Sequence, residues 1–241
     1  MGLIVSSYTM SKRKISPSLM CTSFLNLREE LDLFIKHRID YLHIDIMDGH
    51  YVANFSLGAD FCKAVAAYSS IPLDIHLMIE DPDRYVDSFS RFEGAVVSFH
   101  PETSCQPLRT IGEIKRRGRR AGISLSPSVS LGSVEKLLPW VDLVCVMTVH
   151  PGYAGQRLVH GAIEKLAEVA DLIKAKGYNV EVEVDGNVSW DNLPKMISAG
   201  AGVFVAGTSS IFQPGTDMQR NIERFRSIID RTIIDHDNLR L

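Results

Sequence analysis

Eight short β-rich runs separated by stretches of helical periodicity predict an α/β fold, a single (β/α)8 TIM barrel. The runs recur every 20 to 40 residues or so, the spacing of a strand plus its return helix. No Ser/Gly-rich linker or low-complexity stretch interrupts them, which favours one domain in a chain of 241 residues. An open doubly wound sheet would call for a Gly-rich turn after the first strand. "SPSLMCTS" stands there instead.

In chain order the expected strands are KISPSL (14–19), YLHIDIM (41–47), PLDIHLM (72–78) and AVVSFH (95–100). AGISLS (121–126), DLVCVMTV (142–149), VEVEVDG (180–186) and GVFVAG (202–207) complete the set. Between them, NLREELDLFIKH places Leu27, Leu31, Phe34 and Ile35 on one helical face. DPDRYVDSFSRF opens with Asp81 as N-cap and Pro82 in the first turn. AIEKLAEVADLIKAKG repeats apolar residues at helical steps and stops at Gly177. The expected layout is a leader over 1–13, the barrel over 14–235 and a C-terminal tail over 236–241.

The bulk properties exclude several classes of partner. A net charge of -3 gives no electrostatic basis for binding nucleic acid or an anionic membrane. RRGRR (116–120) has no interleaved aromatics and reads as the solvated end of a helix. Four cysteines without C-x-x-C spacing indicate neither a disulfide framework nor a cysteine zinc site, and suit a reducing cytoplasm. No run is long and apolar enough to span a bilayer. Gly2 and Ser6 match a short myristoylation pattern that nothing else supports.

The second strand carries the first chemical clue. Alternation puts Leu42, Ile44 and Ile46 on one face and His43, Asp45 and Met47 on the other. The third strand adds His76 and Met78 near its end, and the seventh ends in Asp185 after Glu181 and Glu183. Catalytic groups of such barrels lie at the C-terminal strand ends. Any one of these residues alone is more often a hydrogen-bonded core group. Four on three strands would be costly to bury uncompensated. Two histidines and two aspartates suit one divalent transition metal ion, Zn²⁺, Mn²⁺, Fe²⁺ or Co²⁺. Met47, Met78 and Met147 follow the same strand ends and form a candidate apolar collar against water. HPGYAGQ (150–156), DGN (185–187) and GTSS (207–210) make a candidate phosphate cradle, with a short helix expected to start after Gly207.

HIDIMDGH, DIHLMI, VMTVHPGYAGQ, EVEVDG and FVAGTSSIF resemble, in order and spacing, the motifs of the ribulose-phosphate 3-epimerase family, from about Ile15 to Phe212. The resemblance implies a barrel enzyme, an isomerase that moves a proton at C3 of a phosphorylated ketose. It implies metal ligation by His43, Asp45, His76 and Asp185, with Asp45 and Asp185 as the acid/base pair. Ser18, His76, Met47, Met78 and Met147 would contact the substrate. Gly152, Tyr153, Ala154, Gly155 and Gln156, with Gly186, Asn187, Gly207 and Thr208, would hold its phosphate. A homo-oligomer is implied as well.

ISPSLMC, HPET and GTS look more like the D-allulose-6-phosphate 3-epimerase branch, which makes D-allulose 6-phosphate to D-fructose 6-phosphate the first expectation. D-ribulose 5-phosphate to D-xylulose 5-phosphate is the alternative. Ala53 and His150 depart from the family pattern. A decarboxylase of the orotidine-phosphate type leans on a strand lysine, and no expected strand ends in one. A non-catalytic sugar-phosphate-binding barrel is the reading from a different functional class.

Overall fold

The computed structural model describes residues 12–238, with side chains through 231. The expected leader apart from Lys12 and Arg13, the Gly2 pattern and the last three residues of the tail lie outside the described residues. The strands are β1 (Lys14–Pro17), β2 (Leu42–Met47), β3 (Leu73–Met78), β4 (Val96–Phe99), β5 (Arg120–Leu125), β6 (Leu143–Met147), β7 (Glu181–Asp185) and β8 (Val203–Ala206). All hydrogen-bonded neighbours are parallel, in the order β1-β8-β7-β6-β5-β4-β3-β2. The seam between β1 and β2 is joined by the Tyr41 N–H, which donates to the Ile15 carbonyl at 3.2 Å, and by a parallel bridge between Ser18 and His43. The (β/α)8 architecture is therefore the one the sequence predicts.

The helices are α1 (Leu27–Lys36), α2 (Ala59–Tyr68), α3 (Val86–Phe89), α4 (Pro107–Arg116), α5 (Ala162–Lys176), α6 (Leu193–Ser198) and α7 (Met218–Asn238). After β5 the return runs through two 3₁₀ segments, Leu131–Ser133 and Glu135–Trp140. Pro139, inside the second, lacks the N–H an α-helix would use.

Strand alternation creates two interiors. Ile44, Ile75, Val97, Ile123, Val144, Val184 and Phe204 join one continuous apolar layer with helix residues such as Phe34, Ile114, Leu166 and Phe225. Each such side chain contributes about 1.5–3 kcal/mol on burial, so this layer is the main source of stability. The opposite strand faces fill the barrel itself. Near its base Tyr41, Val96, Leu143, Cys145 and Val203 form a separate small cluster. Gly122 admits close packing there, since a Cβ would lie 2.8 Å from that of Ser98. Nearer the mouth the lining turns polar.

Four local expectations need correction. Ile35 is 44% exposed, because α1 buries only the narrow arc of Leu31 and Phe34, with Leu27 packed beside it. Asp81 makes no side-chain cap; it sits in a left-handed conformation and its carboxylate pairs with Arg84 at 2.6 Å. No helix starts after Gly207: a single turn, with Ser210 and Phe212 N–H donating to the Gly207 carbonyl, gives way at Pro214 and Gly215. Arg120 of the basic cluster turns under the barrel and binds Glu181 at 2.7 Å instead of pointing to solvent.

Candidate active site

The β2–β3 register sets the site. His43 lies opposite Asp74 and Asp45 opposite His76, so acid and base alternate across the pair at two heights. β7 brings Glu183 and Asp185 to the same lumen, opposite Cys145 and Met147 of β6. At the upper level His43 Nε2 lies 3.2 Å from Asp45 Oδ1. His76 Nδ1 lies 3.6 Å from Asp45 Oδ1 and 3.8 Å from Asp185 Oδ2. One potential ligand atom from each of His43, Asp45, His76 and Asp185 falls within 4.8 Å of all the others. The Ser18 hydroxyl donates to Asp45 Oδ2 at 2.9 Å.

These residues fit a divalent cation. Ligand atoms about 2.0–2.2 Å from a single ion lie roughly 3–4 Å apart, close to the separations found. His76 Nδ1 is buried without a hydrogen-bond partner, although two carboxylates face it. A cation would satisfy that nitrogen and both acids together. His43 is already braced, with Nδ1 2.6 Å from Asp74 Oδ2, the carboxylate–histidine arrangement typical behind metal-binding imidazoles.

Electrostatics follow from crowding. Burial opposes a charge on His43, but Asp74 and Asp45 outweigh it and raise the imidazole well above its ordinary pKa. Burial likewise opposes ionisation of Asp45, yet His43 holds it far below the usual carboxylate range. Asp185 moves the other way, raised by burial and by the charge of Asp45 against the pull of His43. Glu183, fully buried, is raised well above the ordinary value by burial and by Asp74. Asp74 Oδ1 and both Glu183 oxygens are buried without a hydrogen-bond partner among the described residues.

Above this centre opens a solvent-facing cleft. Met47, Met78 and Met147 cluster with Val52 at its edge, flanked by Met20 and Tyr51. Ser18, Asp45, Asp185, the segment Gly152–Gln156, Gly186, Asn187, Gly207 and Thr208 all line it. His43 and His76 are fully buried just beneath. Every residue expected at the site is thus brought to one mouth.

The loops are tied in place. Asn54 Nδ2 donates to the Gly152 carbonyl at 2.8 Å, and Asn187 Nδ2 to the Gln156 carbonyl at 2.6 Å. Gly186 has φ +108°, and a Cβ would sit 2.5 Å from Val149, so only glycine fits. Ala53 and His150, the departures from the family pattern, contribute backbone carbonyls to Tyr153 and Gln156.

Sequence reasoning missed Asp74, Glu183 and His100. Asp74 and Glu183 each stand two residues before a selected ligand on the same face, which is the signal that could have found them. His100 follows β4, fully buried, with Nε2 3.0 Å from His76 Nε2. Cys21 also lines the cleft, and burial raises its thiol to about 11, so it is no thiolate at neutral pH.

Fold and mouth together define a (β/α)8 barrel with a cluster of two imidazoles and two carboxylates at its strand ends. Its nearest chemistry is shown by comparison with known proteins. Residues 14–212 match the ribulose-phosphate 3 epimerase family. The ribulose-phosphate 3-epimerase of Serratia marcescens is 37% identical over 206 residues, covering 85% of this chain and 98% of that protein. Its counterpart in Bacillus subtilis is also 37% identical, covering 88% and 98%. Among solved structures, the orotidine 5'-monophosphate decarboxylase of Methanocaldococcus jannaschii superposes with a TM-score of 0.60 over 90% of this chain and 98% of that one. At 10% identity that likeness shows the fold alone. The chain belongs to the ribulose-phosphate 3-epimerase family and is an enzyme of the isomerase class.

Proposed function

We propose that the protein interconverts D-ribulose 5-phosphate and D-xylulose 5-phosphate by moving one proton at C3. The observation that carries this is the meeting of Asp45 from β2 and Asp185 from β7 at one point between two imidazoles, in a chain aligned almost end to end with ribulose-phosphate 3-epimerases. This replaces the D-allulose 6-phosphate expectation. One of the motifs behind it, HPET (100–103), lies behind His76 and not along the cleft, so it cannot gauge substrate length. Alignment over 85% of the chain outweighs three short segments.

In this reading His43, Asp45, His76 and Asp185 hold one divalent ion, Zn²⁺, Mn²⁺, Fe²⁺ or Co²⁺. Bound there, it supplies Lewis-acid stabilisation for negative charge developing on the sugar. The residues do the rest. One aspartate removes the C3 proton, and the other delivers a proton to the opposite face of the planar enediolate. Ser18 orients Asp45 through its hydroxyl. Met47, Met78 and Met147 keep water from the intermediate. Backbone of Gly152–Gln156, Gly186–Asn187 and Gly207–Thr208 anchors the phosphate and so positions the distant carbon. Exposed Phe24, Leu25 and Phe55, in the loops after β1 and β2, suit contact with a second copy, which light scattering tests.

The deciding experiment supplies either sugar phosphate in deuterated water and follows label at C3 together with kcat/KM. Labelling of both epimers with preference for the pentulose phosphate is expected. Preference for the hexulose phosphate would restore the first expectation. No label from either would leave a non-catalytic sugar-phosphate-binding barrel.

A further inference from the structure

We propose that Glu102, acting through His100, sets which ring nitrogen of His76 carries the proton and so keeps Nδ1 bare toward Asp45 and Asp185. The inference rests on the cation-binding reading of that cluster and deepens it, because only a bare nitrogen ligates a cation. Both are positioning residues; neither lines the cleft.

The two Nε2 atoms of His76 and His100 stand 3.0 Å apart. That separation holds a single proton, so one ring donates and the other accepts. If His100 donated, neutral His76 would carry its own proton on Nδ1, blocking the lone pair that faces Asp45 and Asp185. His100 Nδ1 would then turn a lone pair toward Glu102 Oε1, 3.4 Å away, a repulsive contact. With the proton on His76 Nε2 that repulsion is gone, and the His76 Nδ1 lone pair, 3.6 Å from Asp45 Oδ1 and 3.8 Å from Asp185 Oδ2, is left for a cation shared with the two acids. His100 Nε2 accepts, His100 Nδ1 carries hydrogen toward the carboxylate, and His76 Nδ1 is free.

At 3.4 Å the His100–Glu102 contact is long for a hydrogen bond, but His100 Nδ1 has no other partner among the described residues. Glu102 is firmly held. The Tyr51 and Ser126 hydroxyls each donate to its Oε1 at 2.8 Å. The Tyr51 ring packs on His100 with centroids 4.7 Å apart, which fixes the plane of that imidazole. Burial works against the Glu102 charge, yet the bond from His100 and that from Ser126 lower it to about 2, so it is a pure acceptor at neutral pH. The anion at one end thus orders two protons, on His100 Nδ1 and on His76 Nε2, along a line that ends at the mouth.

The test labels histidine with ¹⁵N in the metal-free full chain and reads each tautomer from two-bond ring correlations. Wild type should show His76 protonated on Nε2 and His100 on Nδ1. Glu102→Leu should mix the tautomers of both rings and weaken Zn²⁺ affinity, measured by chelator competition, about 10- to 100-fold. Glu102→Gln, whose amide oxygen can still accept, should stay much nearer wild type on both readouts and guards against a folding defect in the leucine variant. An unchanged His76 tautomer in both variants, or Zn²⁺ affinity of Glu102→Leu within twofold of wild type, would overturn the proposal. If wild type itself bound no divalent ion, the cation reading would fail, while the tautomers would still report on Glu102.

Discussion

At the N-terminal end of the strands, Lys14, Tyr41, Arg120 and Glu181 satisfy one another; at the C-terminal end, His76 Nδ1 faces Asp45 and Asp185 with no hydrogen-bond partner. Below, Glu181 takes the Lys14 ammonium on Oε1 and the Arg120 guanidinium on Oε2, while the Tyr41 hydroxyl accepts from Lys14 at 3.0 Å. Two cations share one carboxylate and the phenol hydroxyl, and the Asp142 carbonyl takes a further guanidinium N–H at 3.2 Å. Above, acids converge without a fixed cation, and His76 Nδ1 lacks a partner. The lower set closes the barrel. The upper set keeps its bonding capacity for something that arrives from outside.

That contrast can be broken from either end. The largest effect is expected at the mouth, where Asp45→Asn or Asp185→Asn should cut C3 exchange by at least about 10³-fold in both directions. Deuterium incorporation measures this, with circular dichroism showing an intact fold. Near-wild-type exchange in either variant would remove the two-base assignment. Next, stripping divalent ions with a chelator should abolish turnover and lower Tm, because an ion at 100 times its Kd adds about 2.7 kcal/mol to stability. Readdition of Zn²⁺, Mn²⁺, Fe²⁺ or Co²⁺ one at a time should restore both and identify the best ion.

Effects at the base should appear in stability and not in rate. Glu181→Gln leaves Lys14 and Arg120 without their carboxylate and should cost about 1.5–3 kcal/mol in urea unfolding, with kcat unchanged. The smallest effect is an alkaline one. Burial opposes the Lys14 charge, but Glu181 and Tyr41 together raise its pKa above the ordinary 10.5. A raised lysine adds stability in full below its unfolded pKa and loses it as pH rises through the folded value. Wild type should therefore show an added decline in Tm above about pH 10.4. Glu181→Gln should lose that step; a step that persists would place its origin elsewhere.

Much of this was legible in the sequence because strands impose a period of two. Strand positions read from β-branched runs match within two residues, and the four mouth residues follow from alternation on β2, β3 and β7. Period alone gives a face and no height. Glu181, Glu183 and Asp185 share a face yet serve three levels: an ion pair at the base, a fully buried carboxyl in the middle and an acid at the mouth. Only the register across neighbouring strands separates those levels. His100 and Glu102 were legible merely as a motif, since their roles depend on a ring in another strand. The absent helix after Gly207 shows the converse, where Pro214 and Gly215 end a turn that composition invited.

β7 works as a measuring rod. Its three acids are spaced by two residues, about 6.6 Å of travel per step, so each meets its own storey of the lumen. Inserting or deleting one residue between Glu181 and Asp185 would turn part of that set out into the greasy jacket of helices. A change of length in an exposed loop leaves that frame intact, whereas a change within β7 does not.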